Sequence, residues 1–233
     1  MPESSVVLHL PRPEAVLFDL DGTLVDTVEI RIASWLEVFE RYSLPATRDQ
    51  VTALIGVDGK RLAREVAATA GRPVDDALAE EIDRVCGEIF ERRKGQPHAL
   101  PGVRAIVNAI EAAGVRWAIA TSSRREQVAS SIVALGLAGE PTIVDGSHVE
   151  HAKPEPDLLV LAAREVGVEP ARCWYIGDST WDMVSAVAAG MIPVGVTAGS
   201  AVDDAALQAS GAELVVDRLD ELVDVLESSG VGG

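Results

Sequence analysis

Phe18-Asp19-Leu20-Asp21-Gly22-Thr23 follows directly on the apolar run Ala15-Val16-Leu17, and its reading decides the fold. Ala15–Asp19 predicts a short strand that runs straight into acidic residues. Two carboxylates one residue apart on an extended chain point to opposite faces, but a turn at Gly22-Thr23 can bring both toward one place. In open α/β sheets the ligand site lies beyond the C-terminal ends of the strands. Standing alone, Asp-x-Asp-Gly is also ordinary turn chemistry. Its meaning therefore depends on what stands at the ends of the other strands.

Working outward, five further apolar runs rich in Val and Ile read as strands: Val115–Ala120, Pro141–Val144, Cys173–Ile176, Ile192–Val196 and Glu213–Val216. They are continuous rather than alternating, the pattern of strands buried on both faces. Helical periodicity lies between them, over Gly102–Ala113, Arg124–Leu135, Asp157–Val166 and Trp181–Ala189, with Gly114, Gly136, Gly167 and Gly190 at the expected helix ends. Strand–helix alternation predicts an α/β fold, a Rossmann-like parallel sheet flanked by helices.

One stretch breaks the rhythm. From Val28 to Arg93 there are helical patterns (Val28–Tyr42, Arg48–Ile55, Gly59–Ala70, Asp75–Lys94) and no strand. The expected organisation is a core made of residues 1–25 and 98–233, interrupted by an all-α cap domain over 26–97. The polar segments near Asp26 and Gln96-Pro97-His98 suit the two hinges. The first dozen residues read as a tail or a short extra strand.

Composition narrows the function. The 233 residues are 48% apolar, enough for a sizeable core. No uninterrupted apolar run reaches 18 residues, so no membrane span is expected, and the N-terminus lacks the pattern of a secretory signal. Cys86 and Cys173 form no CxxC pair, which predicts two buried thiols in a reducing cytoplasm. A net charge of −17 argues against nucleic acid as a partner. It also requires a local device if the ligand is an anion, because the global field would repel one. The charge is uneven: residues 26–99 hold 11 Lys and Arg against 14 Asp and Glu, and the rest of the chain 9 against 23.

The other strand ends carry chemistry too. Gly177-Asp178-Ser179-Thr180-Trp181-Asp182 follows the fourth strand, with Asp178 and Asp182 four apart at a strand-to-helix junction. Two acidic pairs on one sheet edge are what a carboxylate-bound hard cation requires. Lys153, in Ala152-Lys153-Pro154-Glu155-Pro156-Asp157, is one of only three lysines among 17 arginines, and it stands before the helix that follows the third strand. Thr121-Ser122-Ser123 ends the second strand. Ser123 with Glu126 fits a capping box, and free N–H groups at such a helix start can seat an anion.

Taken together these motifs resemble the haloacid dehalogenase-like superfamily, in particular phosphatases of the phosphoglycolate phosphatase and β-phosphoglucomutase group with a helical cap after the first strand. The resemblance runs from about Ala15 to Asp217, and its opening motif is Asp19-Leu20-Asp21-Gly22-Thr23-Leu24-Val25-Asp26. It implies a Mg²⁺-dependent phosphatase acting on a small phosphorylated metabolite through an aspartyl-phosphate. In that scheme Asp19 is the nucleophile and Asp21 the acid, then base. Asp19, the backbone carbonyl of Asp21, Asp178 and Asp182 serve the metal. Thr121 binds a phosphoryl oxygen, with Ser122 beside it, and Lys153 neutralises nucleophile and phosphate. An acid at Asp21 favours phosphate esters over carbon–halogen bonds or phosphonates. Arg31, Lys60 and Arg61 are the cap residues expected to reach substrate. The competing expectations are a phosphosugar mutase and a non-catalytic phospho-ligand-binding module.

Overall fold

The computed structural model describes residues 10–229, so the expectation of an N-terminal tail or extra strand lies largely outside the described residues. Six strands, β1 (Ala15–Phe18), β2 (Arg116–Thr121), β3 (Thr142–Asp145), β4 (Cys173–Gly177), β5 (Ile192–Val196) and β6 (Leu214–Val216), form one sheet in the order β3-β2-β1-β4-β5-β6. Every pairing is parallel. Phe18 faces Ile119 on one side and Ile176 on the other. The chain reverses its direction of winding between β1 and β4, and there the strand ends open the crevice in which α/β sheets bind ligands.

Side-chain alternation explains why these strands read as unbroken apolar runs. Val16 and Phe18 join a core on one face with Val103, Ile106 and Ile110, which come from α5 (Val103–Ala112). Ala15 and Leu17 join a core on the other face with Leu158, Leu159 and Ala162, from α7 (Asp157–Glu165). Both faces are covered, so neither needs a polar residue. The other helices of this part are α6 (Arg125–Leu135), α8 (Thr180–Ala188), α9 (Asp204–Ala209) and α10 (Glu221–Ser228). Gly114, Gly136, Gly167 and Gly190 all take positive φ just past helix ends, the left-handed conformation glycine adopts without a Cβ penalty.

Between β1 and β2 the chain forms α1 (Val28–Arg41), α2 (Arg48–Thr52), α3 (Gly59–Thr69) and α4 (Asp76–Arg93). These helices bury their own apolar cluster, with Ile32, Phe39, Leu62, Ile82 and Ile89 inside and Trp35 stacked on Phe39 at 5.5 Å between ring centroids. The helical periodicity of the sequence places each of them to within a few residues. The chain leaves and returns by two segments that run side by side: Asp26 N–H donates to His98 O at 3.0 Å and Leu100 N–H to Leu24 O at 2.9 Å.

No helix among the described residues is long and apolar enough to cross a membrane. Cys86 and Cys173 are unpaired and buried.

Candidate active site

The end of β1 delivers Asp19 into the crevice, its backbone N–H held by Ile176 O at 2.9 Å. The chain then turns at Gly22 with φ +85°. The turn needs glycine for space as well as for φ. A Cβ there would lie 2.6 Å from the Asp178 carboxyl carbon and 2.6 Å from Val28 Cγ2. Gly22→Ala is therefore expected to lower stability by about 1–3 kcal/mol, read as a drop in the urea midpoint.

Four strand ends meet here. The Asp19, Asp178 and Asp182 carboxylates offer oxygens that all lie within 4.8 Å of one another. All three residues are buried, as are Lys153 and Thr121. Lys153 Nζ donates to Asp19 Oδ1 at 2.5 Å, Asp182 Oδ1 at 2.8 Å and Tyr175 Oη at 3.0 Å. A buried ammonium thus has three acceptors for its three protons. The Lys153 pKa is raised well above its ordinary value: burial alone would lower it, and Asp182 and Asp19 outweigh burial.

The acids show the cost of the cluster. Burial, with Asp182 and Asp21 adding repulsion, pushes Asp19 up to about 7 against the pull of Lys153. Burial together with Asp182 and Asp19 pushes Asp178 well above the usual carboxylate range. Asp178 Oδ1 accepts from Thr23 at 2.9 Å, and among the described residues nothing donates to its second oxygen. Close buried carboxylates with one lysine between them suit a hard divalent cation bound through oxygen. Asp182 is otherwise engaged. It closes a capping box on α8, accepting from Ser179 N–H at 3.0 Å while Ser179 Oγ accepts from Asp182 N–H at 3.1 Å.

Asp21 stands apart from this cluster. Its carboxylate accepts from Arg31 at 2.7 Å, from Ser123 Oγ at 2.6 Å and from Thr27 Oγ1 at 2.6 Å. Burial would raise its pKa, but Arg31 and the two hydroxyls outweigh burial and hold it below the ordinary value. α6 starts one residue later than Ser123 as N-cap would place it. Its N-cap is Arg124, with no side-chain cap hydrogen bond, and the Ser123 hydroxyl donates to Asp21 and accepts from Arg31.

The helical segment closes over the crevice through specific contacts. Trp181 Nε1 donates to Ala53 O at 2.8 Å and Ser122 Oγ to Gly56 O at 3.3 Å, and Arg124 donates to Asp83 at 2.7 Å. Trp181, unassigned by the sequence pattern, packs on the apolar cluster of α1–α4. The cavity between the two parts is lined by Asp19, Asp21, Arg31, Thr121, Lys153 and Asp178, with Ser122, Ser123 and Gln127 beside them. Of the expected cap contacts, Arg31 enters. Lys60 and Arg61 do not: they line an outer groove, where Lys60 lies 3.8 Å from Glu80 and Arg61 pairs with Glu65. Three polar groups escaped the sequence reading, Tyr175 under Lys153, Gln127 beside Arg31, and Asp83 in the wall.

Comparison with known proteins identifies the family. The haloacid dehalogenase-like hydrolase family model matches residues 16–196. An N-acetylmuramic acid 6-phosphate phosphatase of Pseudomonas aeruginosa is 31% identical, over 93% of this chain and 96% of its own. A phosphoglycolate phosphatase of Escherichia coli is also 31% identical, over 91% of each chain. A crystal structure of a hydrolase from Pseudomonas syringae superposes with a TM-score of 0.86 at 30% identity, covering 92% of this chain and 98% of the other. With its parallel sheet, its helical insertion after β1 and motifs at four adjacent strand ends, the chain belongs to the haloacid dehalogenase-like hydrolase family.

Proposed function

We propose that this protein is a Mg²⁺-dependent phosphatase that hydrolyses the phosphomonoester of a small metabolite, of phosphoglycolate or sugar-phosphate type, through an aspartyl-phosphate on Asp19. The observation that carries the reading is Lys153 set between Asp19 and Asp182, with Asp178 and Thr121 alongside, at the strand ends where the winding reverses. The phosphatase names of the relatives support it.

Phosphoryl transfer asks for positioning and charge compensation above all. In the first step Asp19 attacks phosphorus, the ester P–O bond breaks, and the leaving oxygen takes a proton from Asp21. In the second, Asp21 draws a proton from water as that water attacks the aspartyl-phosphate, releasing phosphate and restoring Asp19. Thr121, with Ser122 beside it, holds phosphoryl oxygens, and Lys153 offsets the charge gathered on Asp19 and phosphate. Asp19, Asp178 and the Asp21 carbonyl, with Asp182 in support, would hold Mg²⁺, which would supply further charge neutralisation when bound. Arg31 keeps Asp21 ionised in the closed arrangement, which suits the base step. The acid step needs Asp21 to carry a proton, which the negative charge of a phosphate bound beside it favours. This local arrangement explains how a chain of charge −17 can take an anion.

We assign residues 1–25 and 98–233 to the catalytic core and 26–97 to the cap. The separate apolar cluster and the paired linkers support that division. A cytoplasmic setting fits two unpaired thiols.

Phosphate release from a metabolite panel, with and without Mg²⁺, tests the reading. The expected result is release that needs Mg²⁺ and is abolished by a chelator. Release from no phosphomonoester refutes it, and sugar-phosphate isomerisation without net release assigns a mutase instead.

A further inference from the structure

The floor of the cavity serves the phosphoryl group, and the rest of it must receive the leaving group. Its polar side chains on that side are Arg31, Asp83 and Gln127, set among Trp35, Ile55 and Leu62. Among the described residues Arg31 is the one cation contributed there by the helical segment, and it is committed. It donates to Asp21 at 2.7 Å, Ser123 at 2.9 Å and Gln127 Oε1 at 3.2 Å, and its guanidinium lies 3.6 Å from the centroid of the Phe90 ring. Lys60 and Arg61 line the outer groove and reach none of this space.

Asp83 is the opposite case. Its Oδ2 accepts from Arg124 at 2.7 Å. Its Oδ1 packs against Gly59, so closely that a Cβ at Gly59 would overlap the carboxyl group, and receives no hydrogen bond from the described residues. Burial raises the Asp83 pKa against the pull of Arg124, and Asp58 adds to the rise. The Asp83 side chain is 13% exposed, and a carboxylate oxygen on a cavity wall with no partner among the described residues is open to a donor. A substrate hydroxyl supplies one. A substrate carboxylate supplies like charge and finds no uncommitted cation to offset it.

We infer that Asp83 selects leaving groups that are neutral and hydroxylated, of polyol or sugar type, and rejects those bearing a carboxylate. The inference rests on the phosphatase reading and narrows its two substrate types to one.

The test is a matched pair, glycerol 3-phosphate against 3-phosphoglycerate, which differ by a hydroxymethyl group in place of a carboxylate. The wild-type protein is expected to favour glycerol phosphate by about 10-fold or more in kcat/KM. Asp83→Asn keeps an acceptor for Arg124 and removes the charge. It is expected to shrink the ratio several-fold, chiefly by lowering KM for phosphoglycerate. Glu80→Gln alters the other acceptor of Arg124, which does not line the cavity, and should leave the ratio unchanged. Equal or reversed preference in the wild type overturns the inference while the phosphatase reading stands. An equal loss toward both substrates in Asp83→Asn also overturns it, assigning Asp83 a purely structural role. Hydrolysis of no phosphomonoester, neutral or carboxylated, overturns the phosphatase reading and this inference with it.

Discussion

Asp19→Asn is expected to cut kcat by at least about 10⁴-fold and to leave the fold intact. The two side chains are nearly isosteric, and the amide oxygen still accepts from Lys153. What disappears is the nucleophile. The stability effect has a defined sign. Asp19 in the folded protein titrates at about 7, against an ordinary value of 3.8. Between those values the native state binds more protons than the unfolded chain, so this group's contribution to stability falls as pH rises from about 4 to about 7. Above that window the ionised Asp19 opposes folding. Without the charge, the variant should gain on the wild type at pH 8 and lose the advantage toward pH 4. Mg²⁺ should stabilise the wild type more than the variant, by the binding free energy that Asp19 helps supply. Urea midpoints at the two pH values, with and without Mg²⁺, read all three effects beside the phosphate-release assay. Undiminished turnover in the variant would refute the covalent mechanism.

The sheet was legible because its signal is local. Apolar runs such as Ala15–Phe18 and Ile192–Val196 are buried on both faces, and glycines follow the helices between. The four cap helices were legible through their 3.6-residue period. Site residues at strand ends were legible for a similar reason: topology fixes the end of a parallel strand, so Asp19, Thr121 and Asp178 had to converge once the strands were right. The cap contacts were not. Helical spacing says which residues share a face, and only the docking of the cap says what that face meets. Arg31 and Lys60 look alike in sequence, yet one bonds Asp21 and the other lies near Glu80. The start of α6 lies one residue past the place the Ser123 capping pattern gives it. That pattern is local, and the Ser123 hydroxyl donates to a carboxylate 102 positions away. Tyr175 sat in an apolar strand and Asp83 in a charged helix, where the first reads as core and the second as surface.

Lys153→Met tests the other half of the charge arrangement and carries the largest expected cost in stability. Lys153 is 1% exposed and bonds two of the three clustered carboxylates directly. Met preserves the length of the side chain and its packing while removing the charge. The carboxylates are then left without their cation in a buried site, a change that costs about 3–5 kcal/mol from a total of about 5–15 kcal/mol. Turnover should fall with it, since the same charge neutralises the attacking Asp19. The pH dependence separates this account from a simple packing defect. Lys153 lowers the pKa of Asp19 and of Asp178, so its loss moves both further up. The native variant then takes up protons at higher pH than the wild type does. Its stability deficit should be greatest near pH 8 and shrink on acidification through pH 7, as the carboxylates become neutral and no longer need a counter-charge. A packing defect would be the same at every pH. Mg²⁺ should recover part of the lost stability by supplying positive charge to the same oxygens, without restoring the turnover that depends on an ammonium at Lys153. Urea midpoints at pH 5.5, 7 and 8 decide the matter. A deficit of equal size across that range would show that Lys153 holds this site together by its shape, and that the carboxylates find their compensation elsewhere.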